Sequence, residues 1–132
     1  LESIAPHRAI IASVIPNLVD PRDPLSAFSQ QTRAIRERSI AIFARALEGE
    51  GLPAEAIQVT AHALWLLQLA CMLVFVHDDT PNGTRTHSLV DDGLDLLVPL
   101  LPFLGTPPGR ALCERVAVAL ARAGIRISAD PT

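Results

Sequence analysis

Residues 53–77 form a long apolar stretch fenced by punctuation on both sides, with Gly49, Gly51 and Pro53 before it and Asp78-Asp79-Thr80-Pro81-Asn82-Gly83 after it. Glycine closes helices, proline is tolerated in their first turn, and a run of Asp, Thr, Pro, Asn and Gly makes a loop. The stretch between these signals reads as one helix. Its second half is apolar on every side, and a helix without a solvated face has to be enclosed. It is therefore expected to be the central pillar of a bundle. A bilayer could also enclose it, but His62 and Gln68 interrupt the strongest run, residues 61–76, which falls short of the roughly 20 residues needed to cross. No membrane partner is expected.

Four more helical stretches are predicted around that pillar, at about residues 5–19, 27–48, 84–104 and 107–123, and no run alternates with period two for long enough to make a sheet. The fold class expected is all-α, a five-helix bundle occupying residues 1–132 as one domain. The first helix is expected to open near Pro6 behind Ser3, with Ile11, Val14, Ile15 and Leu18 on one face and a kink or an end at Pro16. The second opens near Ser26 or Ser29 and sets Ile35, Ile42, Phe43 and Ala46 on one side. Pro99 and Pro102 should bend or end the fourth near Val98. Thr106 and Pro107 form an N-cap and first-turn pair for the fifth, whose row Leu112, Val116 and Leu120 ends before Gly124. Residues 124–132 have no periodicity and are expected to fray.

Several function classes recede on composition. Apolar residues make up 49% of the chain, more than one small soluble core absorbs, so a large buried interface is expected. Net charge is −3, and the basic residues, all of them arginine, are scattered singly, which disfavours direct nucleic-acid binding. Cys71 and Cys113 lie in apolar helical patterns without C-x-x-C spacing or a secretory leader, which suits buried, reduced thiols in a cytoplasmic protein. The chain does not begin with Met, and it is expected to be part of a longer protein.

No catalytic constellation is legible. His7, His62, His77 and His87 include no pair at i, i+4, and no Ser-His-Asp or Cys-His set or glycine-rich phosphate loop can be assembled. A metal site between His77, Asp78 and Asp79 and His87, Asp91 and Asp92 is conceivable, but acidic residues at helix ends are usually caps. No cofactor, metal or enzymatic activity is expected. Two polar residues on the pillar, His62 and Gln68, need partners if buried. Trp65, Gln68, Leu69 and Met72 follow i, i+3, i+4, i+7 spacing and share one face. With His62, and with Phe43 and Leu47 from the second helix, they are the candidate lining of a pocket for a small apolar or amphipathic ligand. A filled core shows the same spacing.

The punctuation also resembles a known family. Leu64-Trp65-Leu66-Leu67 running to Phe75-Val76-His77-Asp78-Asp79-Thr80-Pro81, then Arg85-Thr86-His87-Ser88-Leu89-Val90-Asp91, is similar to the C-terminal domains of TetR-type transcriptional regulators. Arg36-Glu37-Arg38-Ser39 leading to Ile42-Phe43 resembles the preceding family helix, and Pro107-Pro108 with Arg110 and the Leu112-Val116-Leu120 row resembles the last. The resemblance covers residues 5–123. It implies an effector pocket among the first three helices and a homodimer in which the last two helices of each subunit make a four-helix bundle. Leu94, Leu97, Val98, Leu101, Leu112, Val116 and Leu120 are the candidate interface. DNA would be reached only through an upstream helix-turn-helix absent from this chain. Gly93, Pro99 and Pro102 depart from the family's smoother helix. A dimerisation module without a ligand, and less so a metal-dependent helical enzyme, are the rival expectations.

Overall fold

The computed structural model describes residues 5–20 and 22–127, so Ser3, Pro21 and residues 128–132 of the expected tail lie outside the described part. Within it the chain is all-α. The helices are α1 (Arg8–Val19), α2 (Arg33–Leu47), α3 (Ala54–His77), α4 (Thr84–Leu97), the single turn α5 (Leu101–Leu104) and α6 (Pro107–Arg122). Short 3-10 turns cover Ala5–His7, Glu48–Glu50, Pro81–Gly83 and Val98–Leu100.

α3 is the pillar, touched by α1, α2, α4 and α6. At 24 residues it is long and apolar enough to cross a membrane by length and composition, so the length argument drawn from residues 61–76 does not hold. Nor is the helix fully wrapped. Ala56, Val59, Ala61, Trp65, Cys71 and Phe75 are buried, whereas Gln68, Ala70 and Leu73 are exposed and Leu69 and Met72 half-buried. The side that carries Ala70 and Leu73 stays open.

Three local expectations are corrected. α1 does not end at Pro16 but runs on to Val19; Pro16 forfeits one hydrogen bond, but its carbonyl still accepts from the Asp20 N–H, and the buried Ile15 anchors this turn. α2 begins at Arg33 because residues 22–32 form successive turns held by short polar side chains that compete with helical backbone bonds. The Leu25 N–H donates to Asp23 Oδ1 at 2.7 Å, the Phe28 N–H to Ser26 Oγ at 3.3 Å, and the Thr32 hydroxyl to the Ser26 carbonyl at 2.5 Å. The buried face of α2 is Ile40, Ala44 and Leu47 with Phe43 half-buried beside them; Ile35, Ile42 and Ala46 face outward. Residues 40, 43, 44 and 47 make the tighter i, i+3, i+4, i+7 stripe, and the turns before α2 fix which stripe meets α3.

Other expectations are met. α4 gives way to a 3-10 turn at Val98–Leu100, where Pro99 removes a donor. Thr106 caps α6, its hydroxyl accepting from the Gly109 N–H at 3.3 Å, with Pro107 in the first turn. Left-handed Gly124 closes α6, the Ile125 N–H reaching the Leu120 carbonyl at 2.8 Å and the Gly124 N–H the Ala121 carbonyl at 3.0 Å, and Ile127 then packs near Ala56, Val59 and Cys113. The expected fraying from residue 124 is therefore corrected as far as Ile127, which these contacts tie down. Cys71 and Cys113 are buried and unpaired; burial pushes both thiols up, Cys113 also through Glu55.

Candidate functional site

On the face of α3 turned toward α1 and α2, Trp65, Gln68, Leu69 and Met72 line a cleft of about 200 Å³ together with Leu18, Ala27, Thr32, Ile35, Arg36 and Ser39. The face expected from i, i+3, i+4, i+7 spacing is therefore assembled, with its opposite walls supplied by the end of α1, the turns of residues 22–32 and the first two turns of α2. Those turns act as a strap. The Ala27 N–H donates to the Leu18 carbonyl at 2.9 Å, which lays Ala27 into the core, and Phe28 meets Trp65 edge to face at 5.6 Å between ring centroids.

Three of the expected lining residues lie elsewhere. Leu47 is buried in the core cluster with Ile40, Ala44 and Trp65, and Phe43 packs against that cluster. His62 is buried, and its Nδ1 lies 2.8 Å from the Gln58 carbonyl. A carbonyl only accepts, so Nδ1 carries the proton, and the partner is within its own helix rather than across helices or on a ligand. Gln68 is exposed at the cleft's edge, so the argument that a buried amide must find a partner does not apply to it. Among the described residues the buried side-chain polar atom without a partner is instead Thr60 Oγ1.

Sequence reasoning missed the walls contributed by residues 18–39, and one signal was present. Residues 36, 40, 43, 44 and 47 lie on one face of α2, so Arg36 continues the core-facing stripe at a position where the pattern calls for an apolar side chain. Its Nη1 donates to the Ala27 carbonyl at 2.8 Å and the Ser29 carbonyl at 3.3 Å, pinning the strap to α2. The remaining walls come from turns without periodicity.

The residues that carry the family resemblance converge on a different place, the α3–α4 junction. Asp78 is fully buried and accepts from the Thr80 N–H at 3.0 Å, the Thr80 hydroxyl, the Thr86 N–H at 2.8 Å and the Thr86 hydroxyl at 2.7 Å. The Thr80 hydroxyl above all, then Thr86 and the backbone N–H groups, hold the carboxyl well below the usual carboxylate range against the opposing effect of burial. Arg8 donates to the Val76 carbonyl at 3.1 Å and to the Asp78 carbonyl, and lies 5.6 Å from the centre of the Phe75 ring. A cation thus meets the last carbonyls of α3. The junction is a structural cap whose four hydrogen bonds to Asp78 come from within the chain. Among the described residues no three His, Cys, Asp or Glu side chains converge on a point where a metal could sit.

The candidate dimer residues divide. Leu94, Val98 and Leu112 are exposed, Leu97, Val116 and Leu120 half-buried, and Leu101 buried at 9%. Leu101 belongs to the core cluster, Leu97 packs against it, and Val116 packs against Ala56, Val59 and Cys113. These three serve the chain's own core. The outward apolar surface of this region includes Leu96, Leu100, Phe103 and Val118, which the heptad-like rows did not single out. No family model, curated protein or solved structure matches the chain.

Proposed function

We propose that the chain is the effector-binding and dimerisation part of a TetR-like transcriptional regulator, which senses a small, largely apolar molecule and controls DNA binding by an upstream helix-turn-helix. The observation that carries the reading is the cleft, in which an aromatic plate, a thioether and an amide from one face of α3 meet a strap held to α1 and α2 by a few hydrogen bonds. A ligand seated there touches α1, α2 and α3 and the strap at once. Preferential binding to one arrangement of these elements shifts the population toward it, and a coupling of about 1–3 kcal/mol changes a distant affinity about 5–150-fold.

Two features support the homodimer. Leu94, Val98, Leu112 and Val118 leave apolar surface outward on α4 through α6. The exposed charges there are complementary, α4 carrying Asp91, Asp92 and Asp95 against Arg85, and α6 carrying Arg110, Arg115 and Arg122 against Glu114. A two-fold contact placing α4 of one subunit beside α6 of the other matches these signs on both sides of the axis. The homodimer alone, as a structural module without a ligand, is the second reading, favoured by a cleft smaller than the roughly 300–1,000 Å³ of drug-sized sites.

A thermal-melt screen of apolar and amphipathic small molecules, read in parallel by the emission of Trp65, separates the two. A true effector at 100 times its Kd adds about 2.7 kcal/mol to folded-state stability, which raises Tm by about 10 °C. It also changes the emission, and Trp65→Ala weakens the thermal response. If no compound moves both signals, the chain is the structural module.

A further inference from the structure

Resting on the cleft as an effector site, the geometry points to its ligand class: we infer that the cleft takes a small amphipathic anion, a monocarboxylate whose head group meets Arg36 and whose apolar body lies on Trp65, Leu69 and Met72. Arg36 is the one charged residue in the lining and stands on the core-facing stripe of α2, half-buried. A guanidinium has five N–H donors, and both bonds that Arg36 makes leave from Nη1, to the Ala27 and Ser29 carbonyls. Among the described residues neither Nε nor Nη2 makes a hydrogen bond, and Arg36 forms no salt bridge. The nearest acidic neighbour along the chain, Glu37, pairs with Arg33 instead.

A cation drawn partly out of water beside apolar walls is stabilised by an anion more than by a neutral group. Nε and Nη2 together offer the two parallel N–H donors that fit a carboxylate side on. Thr32 and Ser39 add hydroxyls on the side of the arginine and Gln68 an amide from α3, while Leu69 and Met72 supply apolar floor. The volume, about 200 Å³, equals roughly seven waters at about 30 Å³ each, which suits a short-chain or single-ring acid rather than a multi-ring compound. An anion on Arg36 also bears on the strap, because the same guanidinium holds the Ala27 and Ser29 carbonyls.

The test uses three ligands with one tail: octanoate, octan-1-ol and octylammonium, titrated at neutral pH against the whole chain by Trp65 emission and Tm. The inference expects octanoate to bind at least about tenfold more tightly than octan-1-ol, the increment of a charge-assisted contact, with octylammonium weakest of the three. Arg36→Gln, checked by circular dichroism for an unchanged helical fold, should bring octanoate down to the level of octan-1-ol. Because Arg36 also holds the strap, the ranking on the unaltered chain is decisive if that variant unfolds. Equal or tighter binding of the alcohol or the amine overturns the anion preference while leaving the cleft a binding site. Failure of all three to move either signal removes the site and the inference with it.

Discussion

The Asp78 carboxylate accepts both the backbone N–H and the hydroxyl of Thr86, at 2.8 and 2.7 Å, and both residues are fully buried. One side chain thereby closes the loop after α3 and fixes the start of α4. Thr86→Val removes a donor and leaves a buried carboxylate oxygen short of a partner, so it should lower the unfolding free energy by about 1–3 kcal/mol. Thr86→Ser should retain most of it. Urea denaturation checks both, and equal stability of all three chains would show that the junction does not fix α4.

The same junction sets an acid limit. A carboxyl held in the folded state below its unfolded value of about 4 contributes stability that is fully present above that pH. The contribution is lost as pH falls through the depressed folded value. Unfolding followed between pH 7 and pH 2 should show a decline beginning near pH 4, and Asp78→Asn should be less stable at neutral pH but decline less steeply. A parallel decline in both chains contradicts this assignment.

Gly109 sits where α6 crosses α5, and a Cβ built on it would come 2.0 Å from the Phe103 carbonyl oxygen and 2.7 Å from Leu104 Cα. Those are backbone atoms that cannot rotate away. Gly109→Ala should cost about 1–3 kcal/mol through displaced backbone. Gly49→Ala, with nothing within 4 Å and no left-handed φ, should be neutral or stabilise by up to about 1 kcal/mol. Chemical denaturation of the pair separates close approach from general helix propensity.

For the dimer, the structure redirects the mutations that the sequence rows suggested. Val116→Glu would bury a charge against Ala56, Val59 and Cys113 and unfold the subunit, which reports nothing about association. Leu112 and Val118 point outward, 48% and 51% exposed. Leu112→Glu with Val118→Glu should therefore give a folded monomer, seen by light scattering at micromolar concentration alongside an unchanged helical spectrum. A monomeric unaltered chain at that concentration contradicts the interface.

How much was legible follows from where the periodic signal was. Helical character, the pillar from Ala54 to His77 and the Thr106-Pro107 start of α6 were readable because prolines, glycines and apolar spacing agree there. The shared face of Trp65, Gln68, Leu69 and Met72 was readable for the same reason. The opposing wall was not, since residues 22–32 are ordered by Asp23, Ser26, Ser29 and Thr32 side chains bonding nearby backbone, a pattern with no period. The phase of α2 was misjudged because Ile35 and Ile42 offered a competing apolar side, and Arg36 was passed over as surface charge. Which C-terminal leucines face outward depends on the crossing of α5 and α6 at Gly109, a long-range fact that no local window contains.

In the proposed regulator a ligand bound in this chain controls DNA binding elsewhere on its polypeptide. The most direct measurement is the affinity of the polypeptide encoded by the whole reading frame, including anything upstream of Leu1, for DNA from its own promoter region. It is made at fixed physiological salt, with and without a compound that shifts both Tm and Trp65 emission. The account predicts sequence-specific binding that the compound changes about 5–150-fold, while residues 1–132 alone, with net charge −3 and scattered arginines, do not bind. Absence of specific binding by the whole polypeptide, or an affinity the compound leaves unchanged, contradicts it.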